Sequence, residues 1–89
     1  MTKLEKERAI INGIKSLPFT QYGEYHSLDD LCDIISKVMG FTSRRIHWDR
    51  PVWNYQETEK LWTIIDRMEA KNVIIRSKSG SMFKLNRNI

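Results

Sequence analysis

Apolar positions along this chain follow two periods, and the change from one to the other marks out its elements. In the first stretch Ile10, Ile11, Ile14 and Leu17 fall on one side of a helix, the spacing of a helix that buries one face. Thr2, with Glu5 three residues on, reads as a capping-box start, and Pro18 as the stop. A helix over about 2–17 is predicted, with Gly13 weakening its middle. Residues 19–26, FTQYGEYH, lose the period. Tyr22, Gly23 and Tyr25 predict a loop, then a short extended piece near Glu24–His26. A second helix is predicted over about 27–39. Ser27 caps it, Asp29 and Asp30 sit in its first turn where the dipole favours acids, and Gly40 ends it. Leu28, Leu31, Cys32, Ile35, Val38 and Met39 make its apolar face.

Residues 40–54 show neither period and predict an irregular link. Thr42 or Ser43 could cap a short helix through Trp48, but Pro51 bars a continuous one. Asn54 then caps a third helix over about 55–71, with Leu61, Ile64, Ile65 and Met68 as its stripe. Directly after it the period falls to that of strands. Val73–Arg76 and Met82–Leu85 flank SKSGS, in which Gly80 can take the positive φ that a turn needs. A hairpin over about 73–86 is predicted.

The chain has 89 residues, 40% hydrophobic and 29% charged, with a net charge of +4. That suits one small globular domain burying roughly 60% of its unfolded surface. No apolar run is long enough for a membrane span, and the start lacks a signal-peptide core, so a cytoplasmic protein is expected, with no membrane partner. The charge is unevenly spread. Residues 18–40 carry four acids and one base, residues 41–55 three arginines and one aspartate, and residues 73–89 four bases and no acid. Such polarity favours a polyanion on one side.

Catalytic and metal chemistry find little support. Cys32, His26 and His47 cannot form a zinc set at usual spacing, and Cys32 sits on the apolar helical face, as a small core residue would. His47 has no partner nucleophile, and there are no paired carboxylates or glycine-rich phosphate loop. No enzyme activity, cofactor or metal is expected.

The order helix, strand, helix, link, helix, hairpin resembles the winged helix-turn-helix superfamily. The likeness is sharpest over IIDRMEAKNVIIRSKSGSMFKLN, which looks like the end of a recognition helix and its wing. Asn72 stands where glycine usually sits, and asparagine is the next best residue for a left-handed cap. HSLDDL resembles the start of the helix-turn-helix unit. One departure is the link 40–54, much longer than the ~3–4-residue turn of a standard unit. It leaves two candidate recognition elements, a short helix near 43–48 and the helix 55–71, of which the second leads directly into a wing.

The resemblance implies an α+β winged-helix fold with three main helices and a two-stranded C-terminal wing. It also implies binding of double-stranded DNA by a transcription or replication regulator of bacterial or phage type. One such unit covers little DNA, so a homodimer or larger assembly is expected. On helix 55–71, Gln56, Lys60, Thr63, Arg67 and Lys71 share a narrow band away from the apolar stripe. With Asn54 ahead of them, they are the candidate base-reading residues. Arg76, Lys78 and Lys84 on the hairpin, and Arg44, Arg45 and Arg50 in the link, are candidate backbone contacts. The link also mixes in Trp48, Trp53 and Tyr55, which either stack on bases or close the core under a long loop.

A second reading is a winged-helix module that binds proteins and no DNA. Asp29, Asp30 and Asp33, or the loop Trp48–Tyr55, would then dock on a partner such as host polymerase or replication machinery. RNA binding ranks last, since neither the aromatic signature of the common RNA-recognition sheet nor a GxxG loop is present.

Overall fold

A computed structural model describes residues 2–21 and 23–87. Tyr22, in the first loop, lies outside the described residues. The fold is a small α+β domain of three helices and two small antiparallel sheets. Helix α1 spans Lys3–Lys15, strand β1 His26–Ser27, and α2 Leu28–Met39. Strands β2 (Arg45–His47) and β3 (Arg50–Val52) follow, then α3 (Tyr55–Ala70), β4 (Ile74–Arg76) and β5 (Met82–Leu85).

The helix ends sit where their capping chemistry puts them. The Thr2 hydroxyl accepts from the Glu5 N–H at 3.2 Å, and Ser27 and Asn54 cap α2 and α3 in the same way, at 3.2 and 2.8 Å. Gly40, at φ 72°, ends α2. Asn72, at φ 61°, takes the left-handed position after α3. The two bonds of a Schellman closure follow, from Asn72 N–H to the Glu69 carbonyl at 3.0 Å and from Val73 N–H to the Met68 carbonyl at 2.9 Å.

One core serves all three helices and the larger sheet. Ile10 and Ile14 of α1 meet Leu31 and Ile35 of α2, Leu61, Ile65 and Met68 of α3, and Ile74, Phe83 and Leu85 of the sheet. Gly13, the weak point of α1, has a packing reason. A Cβ built there would lie 2.7 Å from Cγ2 of Ile34, so α1 and α2 approach through the space the missing side chain leaves.

Two expectations are corrected. The link 40–54 is not irregular, and residues 43–48 form no helix. β2 and β3 pair antiparallel, with Arg45 opposite Val52, Ile46 opposite Pro51 and His47 opposite Arg50. A two-residue turn, Trp48–Asp49, joins them with both residues at positive φ, 52° and 62°. That is the backbone of a tight hairpin turn, reached without asparagine or glycine. Nor is the C-terminal pair two-stranded. β5 pairs with β4 on one side and β1 on the other, giving the order β1-β5-β4, with His26 opposite Phe83.

Candidate nucleic-acid interface

The outward face of α3 comes from its sequence period. Leu61, Ile65 and Met68 are buried, which turns Gln56, Lys60, Thr63 and Arg67 outward, all exposed. Lys60 and Arg67 have no ion-pair partner among the described residues. The acids of the helix are mostly drawn aside. Asp66 and Glu69 both lie against Arg76 of β4, at 3.6 and 3.4 Å. The Arg76 guanidinium also rests 5.4 Å from the centre of the Trp62 ring, an attraction of cation and π face. Its Nε makes no hydrogen bond; at 3.4 Å from Glu69 the contact is one of charge alone. Glu59 is the remaining exposed acid on this side. Lys71 is exposed but joined to Glu7 of α1 at 3.3 Å.

The hairpin is rooted on the first turn of α3 and braced against α2. The Glu57 carboxylate accepts from the Ser43 hydroxyl, from the Ser43 N–H at 3.0 Å and from the Thr42 N–H at 3.2 Å. These donors, the Ser43 hydroxyl first, hold its carboxyl below the usual glutamate range. The Ser43 hydroxyl also accepts from the Asn54 N–H at 2.9 Å. On the other side Arg44 bonds Asp33 at 2.6 Å and Arg50 bonds Asp29 at 3.2 Å, each with both carboxylate oxygens engaged. The acidic face of α2, one candidate dock for a basic partner, is thus largely occupied by the chain's own arginines; Asp30 stays exposed.

The two tryptophans of this region part ways. Trp53 packs against the core and donates from Nε1 to the Ser36 hydroxyl at 2.8 Å. Trp48, at the hairpin tip, is 86% exposed. Ile46 and Tyr55 are exposed too, at 57% and 76%. Arg45 has no ion-pair partner among the described residues.

The candidate bases of the larger sheet are dispersed. Arg76 is spent on α3. Lys84 alternates with the buried Phe83 and Leu85, so it stands on the far face of the sheet from the core, 5.2 Å above the Tyr25 ring. Lys78 is exposed in the turn between β4 and β5. The structure therefore puts Gln56, Lys60, Thr63 and Arg67 on the exposed side of α3, with Asn54 capping its start, and turns Arg44 and Arg50 of the hairpin onto α2. It leaves Lys84 on another face.

Sequence reasoning missed Glu57 and Trp62, whose partners come from the link and from β4 and have no local signal. It also missed a groove of about 420 Å³ between α1 and α3. Leu4, Met39 and Ile64 give it an apolar lining, and Lys3, Lys6 and Arg67 a basic one.

Cys32 belongs to the core. Burial, with Asp29 and Asp33 nearby, pushes its thiol up to about 11, so it stays protonated and unreactive at neutral pH. Among the described residues no cluster of side chains could hold a metal, and no helix is long and apolar enough to cross a membrane. Comparison with protein-family models, curated proteins and solved structures finds no match to this chain.

Proposed function

We propose that the chain is a winged-helix protein that binds double-stranded DNA, with α3 lying in the major groove. The observation that carries this reading is the sorting of charge on α3. Arg76 draws Asp66 and Glu69 to one flank, its single charge shared between them, while on the outward face that also carries Gln56 and Thr63, Lys60, with Glu57 as its acidic neighbour, and Arg67 make no ion pair among the described residues. Lysine, arginine and glutamine can bond base edges there, and threonine can meet a thymine methyl. The order of helices and of the C-terminal strands resembles that of winged-helix domains, apart from the β2–β3 hairpin between α2 and α3, and this supports reading α3 as the groove helix. The hairpin β2–β3 stands in place of the short helix-turn-helix turn; its root is tied to the first turn of α3 through Ser43, and two of its three arginines lie against α2. A role in transcription or replication control follows from that mode of binding.

The test is fluorescence anisotropy of labelled duplex DNA at two salt concentrations. Binding should weaken steeply with salt, the slope falling by about 0.9 for each phosphate contact removed. Lys60→Ala with Arg67→Ala should flatten sequence preference, and Lys78→Ala should weaken all duplexes alike. No binding at low salt by folded protein would refute the reading.

A second reading is favoured by the groove between α1 and α3. Its apolar lining and basic residues match the chemistry of an acidic amphipathic segment of a partner protein. Binding of such a peptide, lost in Leu4→Asp, with no DNA bound, would move the assignment there.

A further inference from the structure

Resting on the DNA-binding reading, we propose that the β2–β3 hairpin is a base-stacking element. Trp48 packs on an unpaired base where a duplex is interrupted, while α3 holds the adjoining duplex. The ligand class is thus DNA with a bulge, gap or single-stranded junction.

Three observations converge on the tip. First, Trp48 and Asp49 both adopt positive φ, 52° and 62°, a region that disfavours bulky side chains. Asn-Gly would close the same turn without that cost. Burial of the indole does not repay it, because Trp48 is 86% exposed. The backbone holds a large apolar plane out in water.

Second, the hairpin is anchored at its root, with the exposed pairs of Arg44 and Arg50 to Asp33 and Asp29 of α2 adding only weak support. Ser43, Asn54 and Glu57 lock its root to α3. An anchored backbone presents the ring at a set place, which lowers the ordering cost of binding.

Third, the surroundings suit a nucleic acid. The indole has the His47 ring edge-on at 6.0 Å and one acid beside it, Asp49, against three arginines on the two flanks of the turn, of which Arg45 makes no ion pair among the described residues. Arg50 is bonded to Asp29 but remains mostly open to solvent. Exposed pairs of this kind are weak, so a phosphate can share its guanidinium. Aromatic side chains stack on unpaired bases whatever the sequence, and neighbouring cations hold the backbone. Because the hairpin root is the first turn of α3, a junction at the tip leaves duplex within reach of Lys60 and Arg67.

The experiment measures anisotropy for a blunt duplex and for the same duplex with an internal run of unpaired bases. Wild type, Trp48→Ala and Trp48→Phe are compared, each checked for folding by circular dichroism. Wild type should prefer the interrupted duplex by about tenfold, the scale of one stacked base. Trp48→Ala should lose that preference and keep its affinity for the blunt duplex. Trp48→Phe should retain part of it. Equal affinity of wild type for both DNAs, or a preference that survives Trp48→Ala, overturns the inference and leaves duplex binding standing. Failure of wild type to bind either DNA removes both. Dimerisation in sedimentation that depends on Trp48 would also overturn it, making the tip a contact between copies.

Discussion

Replacing Gly13 by alanine sets two known effects against each other. On an open helix surface the change stabilises by about 1 kcal/mol, because alanine loses less backbone freedom and is the better helix former. Here the new methyl would stand 2.7 Å from Ile34 Cγ2, about 1 Å inside normal carbon contact. That γ carbon hangs from a branched Cβ with few rotamers, so it cannot simply swing away. Either α1 moves off α2 or Ile34 leaves its rotamer, and overpacking of this kind costs about 1–3 kcal/mol. The balance is a loss of up to about 2 kcal/mol, or a fall in Tm of several degrees at ~4–8 °C per kcal/mol. Thermal unfolding followed by circular dichroism measures it. The sharper test is the sign in a second background. Ile34→Ala removes the three atoms nearest to the new methyl. Adding Gly13→Ala to it should then stabilise by about the intrinsic 1 kcal/mol. If Gly13→Ala raises Tm in the wild-type background, the helices separate without cost and the reasoning fails.

Three further outcomes follow from local chemistry. The Glu57 carboxyl is held low in the folded chain, so what it contributes is present above the ordinary carboxylate range and is lost as pH falls through its depressed value. Acid titration by NMR should show the amides of Thr42 and Ser43 shifting together in that low range. Glu57→Gln should abolish the step, and an unchanged step would refute the anchor. Cys32 should resist iodoacetamide at neutral pH and react only on unfolding; fast labelling of native protein would contradict its placement. Asn72→Ala should cost roughly 1 kcal/mol, since alanine lacks the local bonding that eases asparagine into the left-handed region, whereas Asn72→Gly should be tolerated. Urea unfolding curves of the two variants would separate them.

Much of the helical frame was legible because its signals are local. Thr2 and Glu5, Ser27, Gly40, Asn54 and Asn72 each act within a few residues, and each sits where its chemistry predicts. The hairpin β2–β3 was not legible, for equally physical reasons. Its strands have three residues each, one of them proline, and its turn is Trp48–Asp49, not a dipeptide that favours positive φ. The pairing of His26 with Phe83 joins distant parts of the chain, so the short first strand was legible but its place beside the hairpin was not. The candidate surface was half legible. Helical spacing put Gln56, Lys60, Thr63 and Arg67 together, but spacing could not say which charges stay open. Asp29 with Arg50, Glu7 with Lys71 and Arg76 with Asp66 are made by the fold. Nor could composition distinguish Trp53, which packs on the core, from Trp48, which does not.

The place of β5 in the larger sheet bears on how the chain is made. Residues 82–85 are the last strand in order, yet they lie in the middle, bonded to both neighbours. Phe83 is fully buried and Leu85 nearly so. During synthesis the three helices leave the ribosome with the apolar side of their bundle uncovered, and β1 waits without a strand to pair with. Completion of the core is therefore a late, near all-or-none event, and the nascent domain stays sticky until then, the state in which small chains aggregate or meet chaperones. A chain cut after Gly80 should bind the dye ANS and lack near-ultraviolet circular dichroism while keeping helical signal; sharp cooperative unfolding by that fragment would show that the helices close without their last strand.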